Sequence, residues 1–260
     1  MFRRDIRADE LREPLTGTRR DVQLVGVSAT LGQPVRRELV HQRWVGKSDV
    51  IKVDSKTNSL PDTLKHYVVT NHDDAEGFEN LEEQTQPSAD ELMDTVLHIV
   101  RSNQVGSVLL FVPTSVSIDD TVAMLRTHAI AGSGSGNGAD SPPMMMRAEA
   151  LYTHVHGVKP AEAQVRRQAI INRIVTASSS QPYVIVVNMD TARGLDLPGV
   201  EMAILVGTPR TQSDYQHIAG RVGRAGCQGT VVTVGYDAKQ TVRIKKIASS
   251  LKVELATMVL

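Results

Sequence analysis

Cysteine, aromatic residues, an excess of charge and long apolar runs are all scarce or missing in this chain of 260 residues. The lone Cys227 excludes a disulfide framework and a cysteine-based zinc site. No apolar run approaches the roughly 20 residues that a membrane helix requires. Nothing resembles a signal peptide either, so a soluble, intracellular protein with no membrane partner is expected. Basic and acidic residues number 29 each, and a formal net charge of zero gives no electrostatic argument for a nucleic-acid partner. What is present is ordinary globular material. A hydrophobic share of 41% can build a sizeable core, and the length fits one large domain or one domain with an appended fragment.

The charge is unevenly spread. Between His66 and Val100 there is no Lys or Arg, while Asp73, Asp74, Glu76, Glu79, Glu82, Glu83, Asp90 and Glu91 crowd the interval. Such a block reads as a solvated, self-repelling loop. The remainder is basic, with Arg19-Arg20, Arg36-Arg37, Arg166-Arg167 and Lys245-Lys246. A second irregular stretch, 131–146 (AGSGSGNGADSPPMMM), has the composition of a flexible loop. Ordered patterns flank it on both sides, so it is expected to be an insertion within one domain.

Elsewhere apolar strands alternate with helical patterns. Strands are expected at 64–70, 107–112, 148–154, 183–187, 201–206 and 230–235. Helices are expected from a Ser88 cap to about 102, at 117–127, from Pro160 to 176, at 214–219 and at 238–254. This alternation predicts an α/β fold whose parallel sheet carries helices on both faces. Ligands of such sheets bind beyond the carboxyl ends of the strands, which directs attention to the loops after residues 112, 154, 187, 206 and 234.

Two of those loops carry chemistry. In the first, 188–198 (NMDTARGLDLP), Gly194 permits a sharp turn, and Arg193 and Asp196 flank it with opposite charges. An arginine there can clamp phosphate and a carboxylate can accept from a ribose hydroxyl; the plainer alternative is an Arg–Asp pair that steadies the loop. In the second, 208–226, Arg221 and Arg224 stand three apart with Gly220, Gly223 and Gly226 interleaved. On a helix both guanidiniums would share a face, the glycines would clear the approach, and such arginines suit a transferring phosphoryl group. A merely solvated basic turn fits poorly with three glycines weakening the helix at about 1 kcal/mol each.

ARGLD at 192–196 and YxHxxGRxGRAG at 215–226 resemble motifs V and VI of the DEAD-box RNA helicases. LLFVPT at 109–114 looks like motif IV, His156-Gly157 like the loop after the next strand, and Ser28-Ala29-Thr30 like motif III. The resemblance runs from about residue 22 to 235, in the family's order. It implies a RecA-like three-layer domain. Residues 1–32 would be the tail of an amino-terminal lobe ending in motif III. Residues 33–62 would link the lobes, and 63–260 would form the carboxyl-terminal lobe with insertions near 73–86 and 131–146. The P-loop and the DEAD tetrapeptide are absent. Val45-Gly46-Lys47-Ser48 is a decoy, because His41 stands where the pattern needs glycine, and Asp9-Glu10-Leu11 is no tetrapeptide. A fragment of a longer protein is therefore expected.

By the same resemblance, Arg221 and Arg224 would be arginine fingers that reach an ATP held, with Mg, mainly by the other lobe. Asp196, with Gly194 and Arg193, would border the nucleotide, and Asp196 would contact its ribose. Thr114, His156, Gly157 and Asn188 would lie along an RNA backbone, joined by Arg166 or Arg167. Ser28, Thr30 and His217 would serve the interface between lobes, and no metal ligand is expected in this lobe. RNA would be bound without regard to sequence, consistent with 3% aromatics, too few for a base-stacking platform; protein partners in a ribonucleoprotein are a further expectation. Two positions depart from the family. Asn188-Met189 stands where motif V has Thr-Asp, and Ile218 where motif VI has arginine after its histidine. Met189 and Ile218 thus remove opposite charges. The leading expectation is the carboxyl-terminal lobe of an ATP-dependent RNA helicase, inactive alone. The alternatives are a non-catalytic assembly factor with the same fold and a related DNA helicase.

Overall fold

A computed structural model describes residues 37–38, 40–41, 60–70, 87–131, 143–151, 160–189, 197–235 and 237–258. The chain separates into two units, Met1–Thr57 and Asn58–Leu260, and the whole sheet belongs to the second. The expected amino-terminal remnant at 1–32 and the expected insertion near 73–86 lie outside the described residues, as do residues 132–142 of the insertion expected near 131–146.

In chain order the elements are β1 (Leu64–Thr70), α1 (Ala89–Asn103), β2 (Ser107–Val112), α2 (Ile118–Ala131), β3 (Arg147–Ala150), α3 (Pro160–Thr176), β4 (Tyr183–Asn188), β5 (Met202–Val206), α4 (Gln212–Ala219), β6 (Gly229–Gly235), α5 (Ala238–Leu251) and β7 (Leu255–Thr257). The seven strands pair side by side in the order β3-β4-β2-β5-β6-β1-β7, every pair parallel. β2 and β5 are buried along their whole length, which is why they read as continuous Val/Leu/Ile runs rather than as alternating patterns. Alternate residues feed two cores. Val108, Leu110 and Val112 join α1 and α2 on one face, and Leu109 and Phe111 join α3, α4 and α5 on the other. The expected α/β fold with covered faces is the one observed.

Local chemistry sets the element ends. Ser88 caps α1 through a reciprocal capping box with Glu91. Four boundaries differ from expectation by two residues or more. α2 runs on to Ala131 because Ala129 is buried against the sheet. The described part of the third strand ends at Ala150, and residues 152–159 lie outside the described set. α4 begins two residues earlier, where Thr211 and Asp214 form a second capping box. The last helix stops at Leu251 rather than 254, since Lys252 adopts a left-handed conformation (φ 57°) and donates back to Ala248 and Ser249 carbonyls. The chain then adds β7 beside β1, an element absent from the sequence reading. A lysine in place of the usual glycine hides that cap.

His128 on α2 bridges Asp94 and Asp90 of α1, each at 2.9 Å. Burial lowers its pKa, but the hydrogen bonds to Asp94 and Asp90 outweigh this and the net shift is upward. A raised folded-state pKa stabilises the fold fully below the unfolded value near 6.5 and ceases to do so as pH rises through the folded value. His128→Gln is therefore expected to cost about 1 kcal/mol or less at pH 6 and to approach wild type in urea denaturation at pH 9. A deficit that does not change with pH would show that the ion pairs contribute nothing.

Candidate functional site

All seven strands run parallel, so their carboxyl ends share one edge of the sheet. Val112 and Asn188 are register partners at the ends of adjacent β2 and β4. Pro113 and exposed Thr114 turn out of β2, with Val116 N–H bonded to Pro113 O at 3.0 Å, and Ser117 Oγ then accepts from Asp120 N–H at the start of α2. Asn188 is half-buried, and its Oδ1 is buried without a hydrogen-bond partner among the described residues. A buried acceptor of this kind calls for a donor. Its position at the sheet edge, beside the turn that bears Thr114, fits a hydroxyl or water brought by a ligand.

β5 ends at Val206 and leads through Gly207 to α4. Tyr215 on α4 is fully buried, and its hydroxyl lies 2.8 Å from Nδ1 of His66 on β1. The histidine is itself 5% exposed. Desolvation pushes its pKa down to about 4, so the imidazole is neutral at physiological pH. Burial raises the phenol. The helix ends at Ala219, before either arginine, so Arg221 and Arg224 do not share a helical face as expected. They sit instead on a turn and a short 3-10 segment (Arg224–Gly226). Each is tied back by its own Nε. Arg221 Nε donates to His217 O at 2.9 Å and Arg224 Nε to Gly220 O at 3.1 Å, and both side chains are half-buried. The backbone that carries them is thus also the group that orients them.

Gly220 is the C-cap of the helix, and Gly223 carries the turn that follows. Its φ is 62°, and a Cβ there would lie 2.4 Å from Leu64 Cδ2 and 3.2 Å from the Cys227 carbonyl. Gly226 also has positive φ, 80°, but faces open space. The first glycine is required by packing and conformation together, the second by conformation alone.

Of the residues singled out from the sequence, Thr114, Asn188, His217, Arg221 and Arg224 are described; Asn188 ends β4, and the others lie in the segments that follow β2 and β5. Arg166 and Arg167 lie on α3. Arg193, Gly194, Asp196, His156, Gly157, Ser28 and Thr30 lie outside the described residues. Ile218 is fully buried in the core under α4, and Met189 packs against the same cluster. The two departures from the family pattern therefore enter one apolar environment. His66 and Leu64 were missed as contributors because their contacts with Tyr215 and Gly223 span about 150 residues, and nothing local marks them. No cluster of three or more His, Cys, Asp or Glu that could hold a metal exists among the described residues. No described helix is long and apolar enough to cross a membrane.

The family described as helicase conserved C-terminal domain matches residues 90–226, more than half of the chain. The chain belongs to this family. Its seven-stranded parallel sheet has the RecA-like fold of such a carboxyl-terminal lobe. It is similar to the ATP-dependent RNA helicase ROK1 of Eremothecium gossypii, 30% identical over 113 residues, which is 41% of this chain and 19% of that protein. The ATP-dependent RNA helicase dbp3 of Aspergillus clavatus is 47% identical over 56 residues, 22% of this chain and 11% of that protein. Among solved structures, S. cerevisiae Dbp5 bound to RNA and ADP BeF3 shares the fold with a TM-score of 0.59 at 17% identity, over 92% of this chain and 52% of that one. The chain thus matches less than a fifth of the length of either of these two curated relatives.

The two glycines give a test. Gly223→Ala combines strain with a clash and is expected to cost about 2–4 kcal/mol, whereas Gly226→Ala should cost about 1 kcal/mol. Chemical denaturation of the two variants checks the order; equal losses would contradict the packing of Leu64 beneath the arginine loop.

Proposed function

We propose that this lobe is the carboxyl-terminal half of the motor of an ATP-dependent RNA helicase that opens duplexes or remodels ribonucleoproteins. The observation that carries the reading is the Tyr215–Gly226 loop, where two arginines are each anchored through Nε on a turn tethered to the sheet. Arg221 and Arg224 would stabilise charge on the transferring γ-phosphoryl group, and Asp196, with Gly194 and Arg193, would border the ribose. ATP with Mg would be held mainly by a second lobe bearing the P-loop and DEAD tetrapeptide, neither of which occurs in these 260 residues. Thr114, Asn188, His156, Gly157 and Arg166 or Arg167 would follow the RNA backbone, and the orphaned Asn188 Oδ1 could accept from a ribose 2′-hydroxyl. Ser28, Thr30 and His217 would serve the interface between lobes. The domain division at 1–32, 33–62 and 63–260 belongs to the same proposal, as do an intracellular location and protein partners in a ribonucleoprotein.

Splitting the site makes catalysis conditional. Neither lobe can hydrolyse ATP alone, because the γ-phosphate sits on one and the arginines on the other. Closure around both ligands then links RNA binding to hydrolysis reciprocally. The apolar setting of Ile218 and Met189 supports loss of both charges together rather than damage to the arginine loop.

The complete protein is expected to show ATPase activity stimulated by RNA and not by DNA of the same sequence. Arg221→Ala or Arg224→Ala should lower kcat by about 10³-fold or more. The 260-residue chain alone should not turn over. Equal stimulation by DNA would favour the DNA helicase. A complete protein inactive with and without Arg221 would favour the non-catalytic assembly factor, and turnover by the isolated chain would contradict the split site.

A further inference from the structure

We propose that His66 and Leu64, alternate residues on one face of β1, are positioning residues that set the arginine loop in register with the sheet. The claim rests on the reading of Arg221 and Arg224 as the groups that act on ATP. The geometry is a two-point clamp. His66 holds the start of the segment through Tyr215, by a buried 2.8 Å bond between groups 149 residues apart. Leu64 holds its far end by filling the space beneath Gly223, so closely that a single added Cβ would reach it at 2.4 Å. Between these anchors lie His217 and Arg221, with Arg224 immediately beyond. Two bonds inside the segment, from Arg221 to His217 and from Arg224 to Gly220, are local and run four residues back. Such bonds shape the loop but cannot fix where it stands relative to the sheet. The β1 clamp does that.

β1 is well placed to do so. It is paired on both sides, with β6 along its whole length and with β7 at His66–Val68, so the strand itself is held. Gly229 at the start of β6 tightens the same junction, since a Cβ there would lie 2.7 Å from Gly223 N and 2.9 Å from Leu64 Cδ2. The phenol of Tyr215 is fully buried, so losing the histidine leaves its hydroxyl orphaned and favours movement of α4 toward another partner. A displacement near 1 Å suffices to cost a charge-stabilising group much of its effect.

Arginines that act on the transition state rather than on bound ATP move kcat and not KM. In the complete protein, His66→Leu is expected to lower RNA-stimulated kcat by about 10-fold or more, with KM for ATP changed by less than about threefold. His66→Gln, whose side-chain carbonyl can still accept from Tyr215, should recover most of that loss. Tyr215→Phe should resemble His66→Leu, and the double variant should be no worse than the poorer single one. A second readout does not depend on turnover. Hydrogen exchange of a peptide spanning 215–226 should accelerate at least about 10-fold in His66→Leu but not in His66→Gln, with the peptide spanning 107–112 unchanged. Unchanged exchange at 215–226, or acceleration spread equally over the sheet, would overturn the clamp. So would losses of activity that follow melting temperature and are not relieved by glutamine. A wild-type protein without RNA-stimulated turnover would contradict the helicase reading, and the exchange measurement would still decide the positioning claim.

Discussion

A tyrosine hydroxyl buried in the core of a parallel sheet needs a partner, and the bond between Tyr215 and His66 supplies it across the fold. Much of the site follows from that one requirement. It seats α4 against β1 and so fixes the point from which the chain leaves the helix. Gly223 then turns the backbone into a left-handed conformation over Leu64, and the arginines emerge from the turn with their Nε groups already committed. The neutral imidazole suits the role. With a pKa near 4 it brings no charge into an apolar core, where an ion would carry a large desolvation cost.

The sheet explains why loops so far apart in sequence lie at one edge. Central strands β4, β2 and β5 are buried on both faces and parallel, so each delivers its following loop to the same side. Thr114 and Asn188 come from neighbouring strands, while the arginine segment follows the strand on the other side of β2. The lobe thus carries the Thr114 hydroxyl, the Asn188 amide and the guanidinium-bearing turn on the same edge of the sheet. Charge totals conceal this division, because the acidic interval before Arg101 offsets a basic remainder.

How much of this was legible in the sequence depended on how local the cause was. β1, β2 and α3 were readable to the residue, since β-branched runs and Pro160 mark them directly. The Ser88 capping box gave the start of α1 for the same reason. β7 was not readable, because Lys252 performs a cap usually left to glycine and three residues carry no periodicity. The arginines were found by their spacing with glycines, but their placement on a helix was not right. The first of the glycines that made the pattern conspicuous caps the helix, and Gly223 carries the turn that follows. His66 was hidden for a different reason. Within LKHYVVT it looks like one polar residue on a strand, and only the tertiary partner gives it a role.

On the proposed function, the lobe is one half of a clamp in which nucleotide and RNA each bind better in the presence of the other. The direct measurement is the affinity of the complete protein for single-stranded RNA, with and without a non-hydrolysable ATP analogue, paired with the converse affinity for the analogue with and without RNA. The two ratios are expected to be equal and to lie at about fivefold or more, as reciprocal coupling requires. Affinities for RNA that do not change when the analogue is bound would contradict the account.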